Sequence, residues 1–514
     1  MDVRAGNPAD EGLSREVYLV AAVVIVGVIM SILDTTIVNV ALEVLSRELH
    51  ASLNTIQWVS TGYLLALASV IPMTGWMSER FGAKRVYMVS VALFGLGSAL
   101  CGLAWSAESL IGFRILQGLG GGMIMPVGMS LMAQVAGPHR VGRVMAVVGV
   151  PMLLGPIFGP VIGGLLVDNV SWRWIFFVNL PVVVLALVLA QRFLHSDHGR
   201  ADAGRLDLRG LALLSPGLAG IVFGLSKSES HGGFTAPIVW IPIVGGALLV
   251  AAFVLHALRV ERPLLDMRLF RNPVFSAAAA TTFLVAAALF GAMIILPLYY
   301  QIDRGESALT AGLLMAPQGI GAAFAMPIAG RLTDRLGGGP VAVVGLILAT
   351  IGTIPFTQIT GTSSYALLGS VLVVRGIGIG CTMMPAMAAA YAVLSGPQVP
   401  RATSALNVVQ RVGGSLGTAL LAVILQGQIR DAFPVAAGAS GPGVLQRLPE
   451  AARARVAEPL ATAFAHTFWW AAAMTMLALV PAVVLTTAAR RTARRGQAVG
   501  AVEAAEAPAA GQVA

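Results

Sequence analysis

Fourteen stretches of this 514-residue chain are almost wholly apolar, and most of them run for about 18–25 residues. A helix of that length rises about 30 Å, the depth of a hydrocarbon core, and satisfies its backbone hydrogen bonds internally. The runs therefore confine the chain to a polytopic helical bundle. Composition agrees: 57% of residues are hydrophobic, 11% are charged, and mean hydropathy is +0.83, where a soluble domain carries roughly a quarter charged residues. A transmembrane β-barrel is excluded, because it needs short segments of alternating polarity and these runs are continuous.

The net charge of +9 does not indicate nucleic acid. Roughly 22 of the 33 Lys and Arg fall in termini and loops of one side, about 8 on the other and about 3 inside helices. That bias predicts both termini in the cytoplasm, as expected in a bacterial inner membrane. The first apolar run is long and lacks a small-residue cleavage site after it, so it stays as helix one. Cys101 and Cys381 lie far apart in apolar segments and are read as packing residues.

The periodic runs predict helices near 17–41, 54–77, 86–106, 108–135, 143–167 and 172–193, then 208–226 and 237–257, then 274–300, 310–330, 339–358, 364–392, 403–427 and 460–488. The domain organisation expected is a cytoplasmic N-terminus (1–16), a six-helix bundle (17–193), a linker with two extra helices (194–273), and a second six-helix bundle (274–488). That second bundle contains a long outer loop (428–459), and a disordered cytoplasmic tail (489–514) follows it. An internal repeat relates the bundles. Gly75-Trp76-Met77-Ser78-Glu79-Arg80-Phe81-Gly82 returns 255 residues later as Gly330-Arg331-Leu332-Thr333-Asp334-Arg335-Leu336-Gly337, and Arg143, Gly155 and Gly159 return 258 later as Arg401, Gly413 and Gly417. Gln117-Gly118-Leu119-Gly120 and Arg375-Gly376-Ile377-Gly378 match more loosely. Duplicated bundles are what transporters use to build alternating access around a site between the repeats.

Three motifs carry chemistry. Asp34 lies within helix one, where an acid at helix centre costs roughly 2.5–3.5 kcal/mol on insertion scales and so marks a functional position. Arg114 lies about six residues into helix four, at a matching depth of roughly 9–12 Å from the outer helix ends; it needs a carboxylate, carbonyls or a wet cavity. If the two meet in one conformation only, the affinity of Asp34 for a proton alternates, which is proton coupling. A permanent structural ion pair is the competing reading. Between Gly75 and Gly82, and on to Lys84 and Arg85, glycines allow close helix approach, while Glu79, Arg80, Lys84 and Arg85 offer charges to latch the inner face; Asp334 and Arg335 repeat them. In helix five, Gly155-Pro156-Ile157-Phe158-Gly159-Pro160-Val161-Ile162-Gly163-Gly164 predicts a bent, tightly packed helix.

Together with Leu33-Asp34-Thr35-Thr36-Ile37-Val38-Asn39-Val40-Ala41, Gln57-Trp58, Tyr63-Leu64, Trp172 to Pro181 and the Arg268-Leu269-Phe270-Arg271-Asn272 loop, these motifs resemble the major facilitator superfamily, specifically its fourteen-span drug:proton antiporter family. The resemblance runs nearly end to end. It implies a helix-one acid linked to protons or cationic substrates and a helix-five motif linked to antiport. Two positions depart from the pattern: Glu43, a possible second acid, stands where proline is usual, and Ala83 stands where a basic residue is usual.

Softer candidates for a substrate cavity are Asn39, Gln57, Tyr63, Gln117, Met123, Tyr299, Tyr300, Gln318, Asn407 and Gln410, each equally readable as scaffold. No nucleophile–base constellation or metal-ligand spacing is present, so neither enzyme chemistry nor a cofactor is expected; protons are the coupling ion. The expected function is export of hydrophobic, cationic small molecules by a monomer, in contact with membrane lipids and not with nucleic acid. A dedicated exporter of one endogenous product, or a non-transporting receptor or scaffold, are the alternatives.

Overall fold

The computed structural model describes residues 14–136, 140–195, 199, 204–228, 233–432 and 450–506. Among the described residues there is no strand. Helix one is Arg15–Glu48 and helix two runs from Leu53–Val70 through the turn Ile71–Met73 into Thr74–Phe81. Helix three is Ala83–Gly102, helix four Ala107–Ala136, helix five Val141–Asn169, and helix six Trp174–Phe177 followed by Asn179–Phe193. Helices seven and eight are Leu208–Ser228 and Pro237–Arg259. Helix nine, Pro273–Leu298, continues as a π turn over Tyr299–Asp303, and helices ten and eleven are Ala308–Leu336 and Gly338–Ile351. Helix twelve is Tyr365–Gly380 plus Met383–Tyr391, helix thirteen Val399–Ala432, and helix fourteen Glu450–Leu477 plus Leu479–Glu506. Thirteen of these segments are long and apolar enough to cross a membrane; helix five, 29 residues of the same character, brings the total to the fourteen expected.

The duplication extends to the helix caps. Ser52 accepts the Thr55 N–H at 3.2 Å to start helix two, and Ser307, 255 residues on, accepts the Thr310 N–H at 3.0 Å to start helix ten. The same helices end on Gly82 (φ 89°) and Gly337 (φ 84°), a backbone region that glycine enters without a Cβ penalty.

Several boundaries differ from expectation for identifiable reasons. Helix one runs to Glu48 because Ala41 and Leu45 on its last turns are buried against helices two and four in a local core. Helix two kinks at Pro72, which has no N–H to give, and helix twelve breaks at Cys381–Thr382, ahead of Pro385. The tail expected to be disordered is helical as far as Glu506: its Ala, Arg and Glu residues are strong helix formers. Most of the expected outer loop, 433–449, lies outside the described residues.

The large apolar residues left exposed on the helices, such as Leu96, Val188 and Phe324, face outward as a lipid-contacting bundle requires. Inside, the cores are distributed unevenly. One large core crosses between the two six-helix halves and reaches the face that carries the described chain ends, including Val17, Tyr87, Val141, Tyr391, Val399 and Leu485. Toward the opposite face each half has a separate core, one around Ile37, Trp172 and Phe176 and the other around Tyr300, Phe464 and Phe468. The apolar cores are thus joined at the terminal face and separate at the other, while helices five and ten pack against each other across the seam. Helices seven and eight pack on each other, and helix seven straddles the seam, with Ser215 donating to the Ser69 carbonyl of helix two at 2.6 Å and Leu214 and Leu218 sharing a core with Ala405 of helix thirteen.

Candidate functional site

Helices two, three, four and six converge on Asp34 of helix one and its partner Arg114, and Asp34 is fully buried. Its Oδ2 accepts from Arg114 NH1 at 2.6 Å, and its Oδ1 accepts from Gln117 Nε2 at 2.9 Å and Asn179 Nδ2 at 3.0 Å. Arg114 also donates to Gln117 Oε1 at 2.6 Å and to the Val59 carbonyl at 3.2 Å, and its guanidinium lies over the Tyr63 ring at 4.1 Å. Asn179 is itself positioned by Ser98 Oγ at 3.0 Å. A buried ion pair of this kind persists only if its remaining lone pairs and N–H groups are satisfied, and here four helices supply the partners. Helical periodicity explains the convergence: Arg114 and Gln117, three residues apart, share one face of helix four.

Helix five closes this corner from the other side. An added Cβ at Gly155 would meet Ile32, one at Gly159 would meet Thr36, and one at Gly163 would meet Ile37, so the glycine face is the seat for helix one around Asp34. Gly164 is a correction: it looks into open space and takes no part in that seam. The helix is continuous through Pro156 and Pro160, whose side chains lie outside the described residues.

At the terminal face two ion pairs cross between the halves, and they are related by the duplication. Glu79 accepts from Arg401 NH2 at 2.8 Å and Nε at 3.1 Å, and Asp334 accepts from Arg143 Nε at 2.7 Å and from the Gly142 N–H at 2.9 Å. Beside them the backbones nearly touch: a Cβ on Gly75 would lie 2.9 Å from Arg401 Cα, and one on Gly330 2.8 Å from Arg143 Cα. Thr74 and Ser404 hydroxyls share a hydrogen bond of 2.6 Å across the same seam. The expected latch is therefore corrected in its partners. Glu79 and Asp334 do reach across, but to Arg401 and Arg143 respectively. Lys84 stays within its own half, where it donates to the Gln191 and Leu194 carbonyls at 2.9 and 2.6 Å at the end of helix six. Arg80, Arg85 and Arg335 are exposed.

The softer candidates separate. Gln117 belongs to the Asp34 network and Tyr63 stacks on Arg114. Gln318 accepts from Arg375 at 2.6 Å. Asn407 is turned back on its own helix, donating to the Thr403 carbonyl at 2.9 Å, and Gln410 reaches Met383 Sδ at 3.9 Å. Tyr299 and Tyr300 are corrections: the π turn stacks them into the core of the second half, where the Tyr299 hydroxyl donates to the Thr360 carbonyl at 2.8 Å. Met123 is packed in the core, Gln57 is half-buried and Glu43 is exposed near the end of helix one, away from Asp34. The Asn39 side chain lies outside the described residues. Sequence reasoning missed the role of Asn179, although it lies in the Trp172 to Pro181 stretch, and that of Ser98, a polar residue with no motif of its own. It also missed the role of Arg143 and Arg401, although their recurrence in the repeat was the available signal.

Two duplicated six-helix bundles meeting at a charge-latched seam, with a buried ion pair inside one of them, define a secondary transporter of the two-bundle type. The chain belongs to the Major Facilitator Superfamily, whose model matches residues 24–418. It is 41% identical over 494 residues to the Multidrug resistance protein B homolog of Mycobacterium tuberculosis, covering 93% of this chain and 90% of that protein. It is 31% identical over 393 residues to the Multidrug export protein EmrB of Haemophilus influenzae, covering 76% and 77%. Among solved structures, the human organic anion transporter MFSD10 superposes with a TM-score of 0.60 at 15% identity, covering 92% of this chain and 100% of that one, a likeness of fold alone. The chain is a multi-pass membrane transporter with bacterial relatives.

Proposed function

We propose that this chain is a multidrug efflux antiporter that exports hydrophobic small molecules in exchange for protons, working as a monomer in a bacterial cytoplasmic membrane with both ends inside. The names of its relatives support the cargo class, and the positive charge of the loops on the terminal face supports the orientation. The observation that carries proton coupling is Asp34. Its carboxylate is sealed from solvent and takes hydrogen bonds from Arg114, Gln117 and Asn179. Protonation removes the charge that compensates Arg114, so the corner must repack.

A continuous path of contacts connects that event to the seam. Thr36 and Ile37, next to Asp34 on helix one, seat the glycine face of helix five. The start of helix five presents Gly142 and Arg143 to Asp334 of helix ten. A shift of helix one on protonation is passed along helix five to one of the two latch pairs, biasing which face is open. In the latched arrangement the Asp34 carboxylate is fully engaged by protein donors, so it serves the proton and the pair with Arg114 rather than a cationic cargo.

The test is transport in proteoliposomes under an imposed pH gradient. Asp34→Asn is expected to abolish gradient-driven efflux while retaining a monodisperse, folded protein, and undiminished efflux by that variant refutes the reading.

A further inference from the structure

The second half carries a buried arginine that the coupling mechanism does not use. Arg375, on helix twelve, is 3% exposed. Among the described residues its one hydrogen bond is from NH1 to Gln318 Oε1 at 2.6 Å. Among the described residues no carboxylate lies within ion-pair range of it and it caps no carbonyl. A guanidinium has five N–H groups and keeps its charge at any pH the protein meets. Burying it with a single neutral acceptor is costly, so the site is incomplete as the chain alone builds it.

The duplication identifies what is missing. Arg375 follows Gln117 by 258 residues and Gln318 follows Tyr63 by 255. The packing confirms the match: an added Cβ would meet Gln117 Cα from Gly97 and Arg375 Cα from Gly352, while Gly118 abuts the Tyr63 carbonyl and Gly376 the Gln318 carbonyl. Arg375 therefore occupies the place of Gln117, the residue that touches Asp34 in the first half. Helix nine, the counterpart of helix one, brings Val285, Ala288 and Leu289 to Arg375, and its span Pro273–Leu298 contains no Asp or Glu. The first half supplies both charges of its corner; the second supplies the cation alone.

The chamber beside Arg375 adjoins the seam. Its chamber shares Leu289 and Ile379 with a second one, which is bounded by Gly149 of helix five and lined by Met293, Met326, Met383 and Met384. Thioether side chains adapt to varied apolar shapes. Each chamber holds about 20 Å³ here, so an apolar body enters as the halves part, which is the alternating-access step itself.

We propose that Arg375, oriented by Gln318, is an anion subsite that takes the carboxylate or other monoanionic head of a lipophilic cargo whose apolar body lies against the methionines at the seam. The ligand's acid supplies the counter-charge that helix nine lacks. This deepens the export reading by naming a cargo class, lipophilic weak acids, and rests on it.

The probe pair is pyrene-1-butyrate and its methyl ester, with binding to purified full-length protein in detergent measured by fluorescence against empty micelles. Wild type is expected to bind the acid at least tenfold more tightly than the ester. Arg375→Gln is expected to lose that preference by tenfold or more while ester binding holds, which also reports that the protein is folded, and Arg375→Lys to recover part of it. Gln318→Glu, which supplies an internal carboxylate and keeps the arginine, is expected to abolish the preference too. Equal binding of acid and ester by wild type, or a preference for the acid that survives Gln318→Glu, overturns the proposal. The assay uses no proton gradient, so its outcome is independent of whether Asp34 couples transport.

Discussion

The two symmetry-related ion pairs of the terminal face set how firmly that face is held shut, and their worth follows from their geometry. Removing one partner of a fully buried pair costs about 3–5 kcal/mol, whereas exposed pairs contribute about 0–1 kcal/mol. Glu79–Arg401 has side chains 13% and 16% exposed, and Asp334–Arg143 has 3% and 14%, so each belongs between those limits, at about 1–2 kcal/mol. The near-isosteric changes Glu79→Gln and Asp334→Asn act on separate helices and add. Together they should shift the closed-to-open balance of this face by about 2–4 kcal/mol, roughly 30- to 700-fold at 1.4 kcal/mol per factor of ten. Spin labels at exposed Arg85 and Leu336, on the equivalent turns of the two halves, would read the separation by pulsed electron resonance after Cys101 and Cys381 are replaced. Wild type should give one short distance. The single variants should each add a longer component, and the double variant should be dominated by it. An unchanged distribution in the double variant, or the whole effect arising from one single variant, refutes the reasoning that two equivalent pairs share the latch.

Gly330→Ala places a methyl group 2.8 Å from Arg143 Cα, where backbone and not a movable side chain is met, so it should open the same face without touching a charge; short distances as in wild type would show that the glycine approach is not limiting. Asp207 joins helix seven to the loop after helix eight. Its burial works against ionisation, but the Gly210 and Leu264 N–H groups and His256 outweigh it and hold the carboxyl below the usual carboxylate range. A depressed native pKa stabilises fully above the unfolded value of about 4 and is lost as pH falls through the native value. Asp207→Asn should therefore lower the melting temperature at pH 7 by on the order of 1–3 °C and flatten the wild-type decline below about pH 4; an unchanged melting curve at pH 7 counts against it.

What could be read in advance divides along a physical line. Helix number and polarity were legible because hydrocarbon thickness dictates length and composition locally, and the duplication was legible because Gly75–Gly82 and Gly330–Gly337 preserve backbone requirements. Asp34 and Arg114 could be paired because both are too costly to bury apart, whereas helix rise did not fix their depth, since helix one extends to Glu48 and not to Ala41. The partners of Glu79 and Asp334 could not, because their ion pairs depend on how the halves dock, and docking is a property of the conformation rather than of any one segment. Tyr299 and Tyr300 were misplaced for a related reason: a π turn shifts register by one residue within a helix and turns side chains from a cavity into a core.

The comparison of the two halves carries the functional argument further than either half alone. Where helix packing demands a residue type, the halves agree, as at Gly97 and Gly352, Gly118 and Gly376, or Gly75 and Gly330. Where the corner chemistry lies, they differ: Asp34 with Arg114 and Gln117 in one, Arg375 with Gln318 and no acid in the other. A proton carrier needs a titratable group that its own fold can compensate in both protonation states. A cargo subsite needs the opposite, a charge left uncompensated until the ligand arrives. In the proposed division the first half retains both charges and serves the proton, while the second keeps the cation alone and serves the cargo. Because the first corner is packed on helix five and the second lies beside a chamber bounded by Gly149 of that same helix, filling one alters the free energy of the closure that the other also depends on, which is the thermodynamic requirement for exchange.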